Sequence, residues 1–232
     1  MTVRPDATSK RPGDVRRRAL IKATLAVMSE RGFADTRITD IAERAGISPA
    51  LVIYYFSTKD ELLTEALRSA EDSWYEIGAA RSATMDSAVA RLEQIVALAC
   101  LPQPNEDLPE SWSLWLDLWT QSVRNPGIAG VRREFDQRWR QTIADIVLEG
   151  QTAGKFTPVD AMEFAITLSA LLDGLDVQIA LDDPEVTPDR AFEIAMRFAS
   201  LSLGFTWEKG RAAPLPAESG DPIRQEPSKS SK

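Results

Sequence analysis

The sequence predicts an all-α protein of about nine helices. Three observations carry that prediction. Ala, Leu, Glu and Arg, strong helix formers, dominate the middle of the chain. Apolar residues recur at spacings of three and four, and no alternating strand pattern persists. The interruptions read as helix punctuation: Gly after a helix, and Ser or Thr before one, often with Pro next.

In chain order, residues 1–13 form a polar arm with Pro5, Pro12 and Gly13 that is expected to be disordered. A first helix is expected from Asp14 to Glu30, with Leu20, Ala23, Val27 and Met28 on one face and Gly32 as its stop. Thr36 is placed to cap a short second helix carrying Ile38, Ile41 and Ala42, which ends near Gly46. Ser48 caps a third, with Pro49 at its first position, where a missing N–H costs nothing. Ser57 or Thr58 caps a fourth, from Lys59 to about Ala80. Further helices are expected at 84–101, 108–124, 128–153, 159–182 and 188–206, separated by LPQPNED, NPGI, GKFTP and DDPEVTP. The tail, 208–232, is rich in Pro, Ser and Lys and is expected to be disordered.

Composition removes several classes of function. The 232 residues, 44% hydrophobic and 27% charged, suit one or two folded domains. No apolar run approaches the roughly 20 residues that span a membrane. The first residues lack the apolar stretch of a secretory signal, and Cys100 is the only cysteine, so a reducing cytoplasm is expected. There is no histidine, which removes Ser-His-Asp and Cys-His catalysis and every zinc site built on His. No carboxylate spacing stands out from solvated helix faces. No catalytic residue, metal or cofactor is therefore assigned, and a small-molecule-binding helical protein or an enzyme, without DNA binding, is the disfavoured alternative.

Charge is unevenly distributed. Residues 1–60 hold 11 Lys and Arg against 7 Asp and Glu, and the rest hold 16 against 28. A positive head on an acidic body suggests that the head alone meets a polyanion. Within the head, two short helices joined by ERAGIS form a candidate helix-turn-helix. The second of them carries Tyr54, Tyr55 and Phe56 in succession. Successive helical residues point about 100° apart, so three rings cannot all face one core. Ile47, Val52 and Phe56 can pack inward, which turns Tyr54 outward and leaves Tyr55 at the edge. Such a tyrosine can pack its ring and donate its hydroxyl to a phosphate or a base edge. Lys59 can reach a phosphate as a point charge. A solvent-exposed tyrosine on a bundle is the plainer alternative.

Residues 15–63 resemble the DNA-binding domain of the TetR family of bacterial transcriptional regulators. The resemblance rests on GFADTRITDIAERAGISPALVIYYFSTKDELL, which matches the family's spacing of GF, T, IA, AG, S, F, K and L in register. It implies a helix-turn-helix domain over 14–58 and a ligand-binding and dimerisation domain over 59–207. It also implies a homodimer on palindromic double-stranded operator DNA, released by a small-molecule inducer. By position, Thr36 and Arg37 would lie beside phosphate. Ser48, Pro49, Ala50 and Leu51 would face the groove, and Tyr54, Tyr55 and Lys59 would touch backbone or base edges. Many members carry Tyr where this chain has Ile53, so that contact would shift to Tyr54. LVIYYF leans toward the choline-responsive, BetI-like branch. The basic residues Lys10, Arg11, Arg16, Arg17 and Arg18 form an arm that can enter a minor groove or simply start a solvated helix.

The resemblance puts a four-helix dimer interface on the last two long helices, where Phe164, Leu168, Leu171, Leu172 and Leu175 combine with Phe192, Ile194, Phe198, Leu201 and Leu203. Intrachain core is the alternative for some of them. For the inducer, Trp112, Trp115 and Trp119 share one helical face beside Asp117, while Asp173 and Asp176 interrupt the apolar ALLDGLDVQIA. Aromatic faces with carboxylates suit a cation such as choline or a polyamine, and a large apolar ligand is the competing choice. Phe135, Trp139, Met85 and Met162 are further candidate lining residues. Aromatic core with solvated aspartates is the alternative reading of the whole set.

Overall fold

The computed structural model describes residues 12–82, 84–102 and 112–208, with the backbone alone at Pro12, Trp112 and Ser113. Residues 1–11 of the expected arm, 209–232 of the expected tail and the start of the sixth helix before residue 112 lie outside the described residues, while Pro12 and Gly13, expected in the arm, begin the first helix. Nine α-helices occur among the described residues: α1 Pro12–Asp35, α2 Ile38–Ala45, α3 Pro49–Tyr55, α4 Lys59–Ser82, α5 Ala88–Cys100, α6 Trp112–Ser122, α7 Pro126–Thr152, α8 Ala161–Ala180 and α9 Pro188–Leu203.

Local chemistry accounts for most of their ends. Ser48, Ser87, Asn125, Asp160 and Thr187 each accept a backbone N–H of the first turn of α3, α5, α7, α8 and α9, each worth about 1 kcal/mol. Thr58 Oγ1 accepts from the Glu61 amide at 3.1 Å, and Glu61 Oε2 accepts from the Ser57 amide at 3.0 Å, which starts α4. Gly46 and Gly204 close α2 and α9 at φ 66° and 71°, in the left-handed region.

Two starts and stops depart from expectation. The first helix does not end before Gly32. It breaks there, at φ 80° and ψ 165°, and resumes for one turn to Asp35. Arg37, not Thr36, caps α2, and it does so without a side-chain hydrogen bond. The Thr36 hydroxyl instead donates to the Gly32 carbonyl oxygen at 2.7 Å, and Thr36 is fully buried.

The helices bury two apolar clusters. The first joins α1–α3 to the N-terminal half of α4, and also takes Leu114 and Leu118 of α6 and Ile128, Val131 and Phe135 of α7. It therefore continues well past residue 58. The second is built from α5, the later part of α7, α8 and α9, with Ile143, Val147, Leu168, Leu172, Ala195 and Met196 at its centre. Among the described residues, no helix is long and apolar enough to cross a membrane.

Candidate nucleic-acid interface and ligand site

The inner side of α3 is fixed by burial. Val52 and Phe56 are 0% and 1% exposed and meet Ile41, Ala42 and α1 in the first cluster. Ile47 and Tyr55 pack against the same cluster at its edge. Three residues then point the other way: Ser48, Pro49 and Ala50 are exposed. Tyr54 is 80% exposed and Ile53 46%, with Leu51 half-buried between the two sides. The Tyr54 and Tyr55 rings meet edge to face, with centroids 5.5 Å apart, so the buried flank of one steadies the other. The rotation of about 100° per residue thus sorts the three aromatics as the sequence requires.

The basic residues around α3 separate into two groups. Arg16, Arg18 and Arg37 are exposed. Arg17 is committed internally. Its Nε donates to Glu65 Oε1 at 2.7 Å, a second nitrogen pairs with Glu65 Oε2, and a third donates to the Tyr55 carbonyl oxygen at 3.3 Å. Its guanidinium also lies 4.5 Å from the Phe56 ring centroid. The Glu65 hydrogen bond raises the Arg17 pKa further, so this residue fastens α1, the end of α3 and α4 together and leaves the basic arm. Lys59 Nζ donates to the Ala34 carbonyl oxygen at 3.1 Å, which gives it a protein partner where a phosphate was expected. The buried hydroxyl of Thr36 is likewise withdrawn from any phosphate.

The expected dimer stripe is mostly core. Phe164, Leu168, Leu172, Leu175, Phe192 and Leu203 are buried within the protomer, because α8 lies between α7 and α9 and spends its apolar sides on both. Within the protomer each is 8% exposed or less. Leu171, Ile194 and Phe198 are half-buried. Leu201 is 78% exposed, and Ile166 and Met162, neither of them in the expected interface, are 47% and 39% exposed. These two were missed because periodicity marks a residue as apolar without saying which neighbour covers it.

The proposed ligand residues also divide. Trp115 meets Phe135 edge to face at 6.0 Å, against the first cluster. Trp119 has the Arg132 guanidinium 6.0 Å from its ring centroid. Asp117 Oδ2 accepts from the Phe33 amide at 2.9 Å, at the junction of α6 with the head. The Trp112 side chain lies outside the described residues. Trp139 belongs with the second cluster, where it meets Trp74 edge to face at 5.4 Å. Trp115 and Trp119 of the expected face thus meet Phe135 and Arg132 of α7. Met85 is half-buried and Met162 is exposed.

Asp176 is the unusual group. It is 1% exposed among the side chains of the second cluster, and its Oδ1 has no hydrogen-bond partner among the described residues. Burial, and secondarily the charge of Asp173, pushes its pKa up to about 8. Asp173, one turn earlier, is pushed up to about 6, first by burial and then by Asp136, against the opposing pull of Arg132 and Arg140. Arg132 pairs with Asp136 at 3.2 Å. The buried thiol of Cys100 is pushed far up by burial and by Asp176, so it is not a nucleophile. Two surface grooves occur, one along α7 around Arg138 and one between α4 and the start of α7, and Asp176 lines neither. Among the described residues, no cluster of three His, Cys, Asp or Glu could hold a metal ion.

Residues 20–66 match the family model described as bacterial regulatory proteins, tetR family, and residues 88–204 match that of the BetI-type transcriptional repressor, C-terminal. The HTH-type transcriptional regulator BetI of Burkholderia thailandensis is 32% identical over 82% of this chain and 94% of its own length. A transcriptional regulator of Saccharomonospora viridis, solved in complex with choline, is 35% identical with a TM-score of 0.73, over 81% of this chain and 96% of that one. A TetR-family regulator from a Rhodococcus species is 25% identical with a TM-score of 0.71, over 81% and 98%.

Proposed function

The chain belongs to the tetR family of bacterial regulatory proteins, a transcriptional regulator with a BetI-type C-terminal part, and we propose that it is a repressor released from its operator by a quaternary ammonium ligand of the choline type. As a cytoplasmic homodimer it binds a palindromic duplex, with α3 of each protomer in the major groove. The observation that carries the DNA reading is α3 itself: a capped helix whose inner side is buried and whose outer side, Ser48, Pro49, Ala50, Ile53 and Tyr54, is bare. Arg37 and the exposed Arg16 and Arg18 supply phosphate contacts beside it. The pairing surface is the outward strip of α8 and α9 around Ile166 and Leu201, and two-fold symmetry sets the half-site spacing at about one helical turn or slightly more.

Asp176 supports the ligand assignment. A buried carboxylate oxygen without a donor is costly. A quaternary ammonium brings charge without N–H groups, so it neutralises the carboxylate and leaves no donor of its own unsatisfied. Trp74 and Trp139, packed against the same cluster, offer faces that attract a cation. A polyamine carries several N–H donors that this apolar cluster would strand. The complex of the S. viridis relative with choline supports the same choice. Because Asp176 is enclosed, entry of the ligand must part α8 from its neighbours, and that movement shifts the population toward a state that binds DNA poorly. A coupling of about 1–3 kcal/mol weakens operator binding some 5–150-fold.

Fluorescence anisotropy over a salt series, with the upstream region of the gene and a scrambled duplex, tests the DNA reading. The expected result is preferential binding whose log K falls by roughly 0.9 per phosphate contacted with log salt. Equal weak binding to every genomic duplex tried would overturn it. Adding choline, then spermidine, to the bound complex tests the ligand, and release by spermidine alone would overturn the choline assignment.

A further inference from the structure

We propose that Asp117 is the positioning residue through which the C-terminal helices hold the DNA-binding head, by its hydrogen bond to the backbone amide of Phe33. This inference rests on the DNA-binding reading but not on the identity of the ligand.

The segment joining α1 to α2 is held from three sides. Asp117 accepts the Phe33 amide at 2.9 Å, Thr36 donates to the Gly32 carbonyl oxygen at 2.7 Å, and Lys59 donates to that of Ala34 at 3.1 Å. Two of these bonds lie within the head and the α4 start. The Asp117 bond alone of the three reaches into the region matched as C-terminal. Asp117 is also the one charged residue of α6, whose other side chains are apolar or neutral. The break in α1 is built around it. A Cβ on Gly32 would stand 2.8 Å from Asp117 Oδ2, so glycine is required both by φ 80° and by the close approach of the carboxylate.

The other side of α6 leads back to the ligand site. Two residues after Asp117, Trp119 lies beneath Arg132. Arg132 pairs with Asp136, and the charges of both act on Asp173, one turn from Asp176. A change in the charge or position of Asp173 and Asp176 therefore bears on the Arg132 pairing, on the seating of α6 and, through Asp117, on where α1 stops and α2 begins. Because α2 carries α3 through Ile41, Ala42 and Val52, a shift at Phe33 changes the angle at which α3 meets DNA.

Hydrogen exchange on the full-length chain, with and without a duplex selected by the protein from a random pool, provides the test. In the unmutated chain, DNA binding should slow exchange at the Phe33 amide and across residues 112–122. Asp117→Ala should confine the protection to the head, and Asp117→Asn, whose amide oxygen still accepts the Phe33 N–H, should restore it. In the same variants the choline-dependent loss of operator affinity should shrink about fivefold or more in Asp117→Ala and persist in Asp117→Asn, with the choline Kd changed less than about twofold. Equal protection of residues 112–122 in Asp117→Ala and the unmutated chain would overturn the inference. So would a Phe33 amide in the unmutated chain that exchanges freely in both states. Loss of the choline effect in the unmutated chain, with protection still dependent on Asp117, would sink the ligand assignment and leave this inference standing.

Discussion

Lowering the pH should weaken binding of the proposed quaternary ammonium ligand in a way set by Asp176. A quaternary ammonium keeps its charge at every pH, so only the protein titrates. Asp176 has a pKa of about 8 before binding, and the cation needs it ionised. At pH 7.5 roughly a quarter of the molecules carry the charge, and at pH 6 roughly a hundredth. Apparent affinity follows the competent fraction, so the choline Kd should rise about twentyfold between those values. Binding at pH 7.5 should also release roughly three-quarters of a proton. Asp173, at about 6, loses its charge only at the bottom of this range and can steepen the fall there. Isothermal titration calorimetry in two buffers of different ionisation enthalpy measures both quantities. Asp176→Asn should bind more weakly, with no pH dependence down to about pH 6.5. A Kd that stays flat from pH 7.5 to 6, or a binding heat independent of the buffer, would refute the reasoning.

Asp176 should also make the ligand-free protein less stable as the pH rises. Its folded pKa is raised, so the unfolded chain gives up its proton first. The stability it contributes is full below about pH 4 and is lost progressively as the pH rises toward 8. Urea midpoints of the unmutated chain should fall between pH 5 and 8, and Asp176→Asn should remove part of that fall; parallel curves would count against it. Tyr54→Ala should weaken operator binding by on the order of 1–3 kcal/mol and leave choline binding unchanged, read by anisotropy. Arg37→Ala should lower the slope of log K against log salt by about 1. Leu201→Glu puts a charge on the outward strip of α9, and sedimentation should show the dimer dissociating more readily, with the protomer's helicity intact.

What could be read from the sequence was local. Ser48 with Pro49, and Gly46 after Ala45, delimit α2 and α3 because a cap and a left-handed glycine act within one turn. The order of Tyr54, Tyr55 and Phe56 around that helix follows from its pitch. Asp173 and Asp176 stood out because a carboxylate in ALLDGLDVQIA must be explained wherever the chain goes. One misplaced reading was local, and the others depended on a partner far along the chain. Thr36 has the side chain of a cap, but its hydroxyl found a carbonyl four residues back. At the break, the Phe33 amide is taken by a carboxylate 84 residues away. The sequence could not say that Trp115 and Trp119 of α6 would be met by Phe135 and Arg132. The stripes of α8 and α9 were apolar as expected, yet an apolar side chain looks the same whether its neighbour belongs to its own protomer or to another.

The two clusters explain how binding in one part can be felt in the other. α7 runs for 27 residues, about 40 Å at 1.5 Å per residue. It gives Val131 and Phe135 to the first cluster and Ile143 and Val147 to the second. α4 does the same, with Leu62 and Leu67 in the first and Trp74 against the second. Cores packed at protein density do not deform smoothly. A cation that parts α8 from α7 near Asp176 must therefore move these long helices nearly as rigid bodies, and their far ends lie in the core that seats α3. Local caps hold α2 and α3 in shape during that movement. What changes is the placement of an intact reading head, which is the property a regulator needs if it is to release DNA and later bind it again.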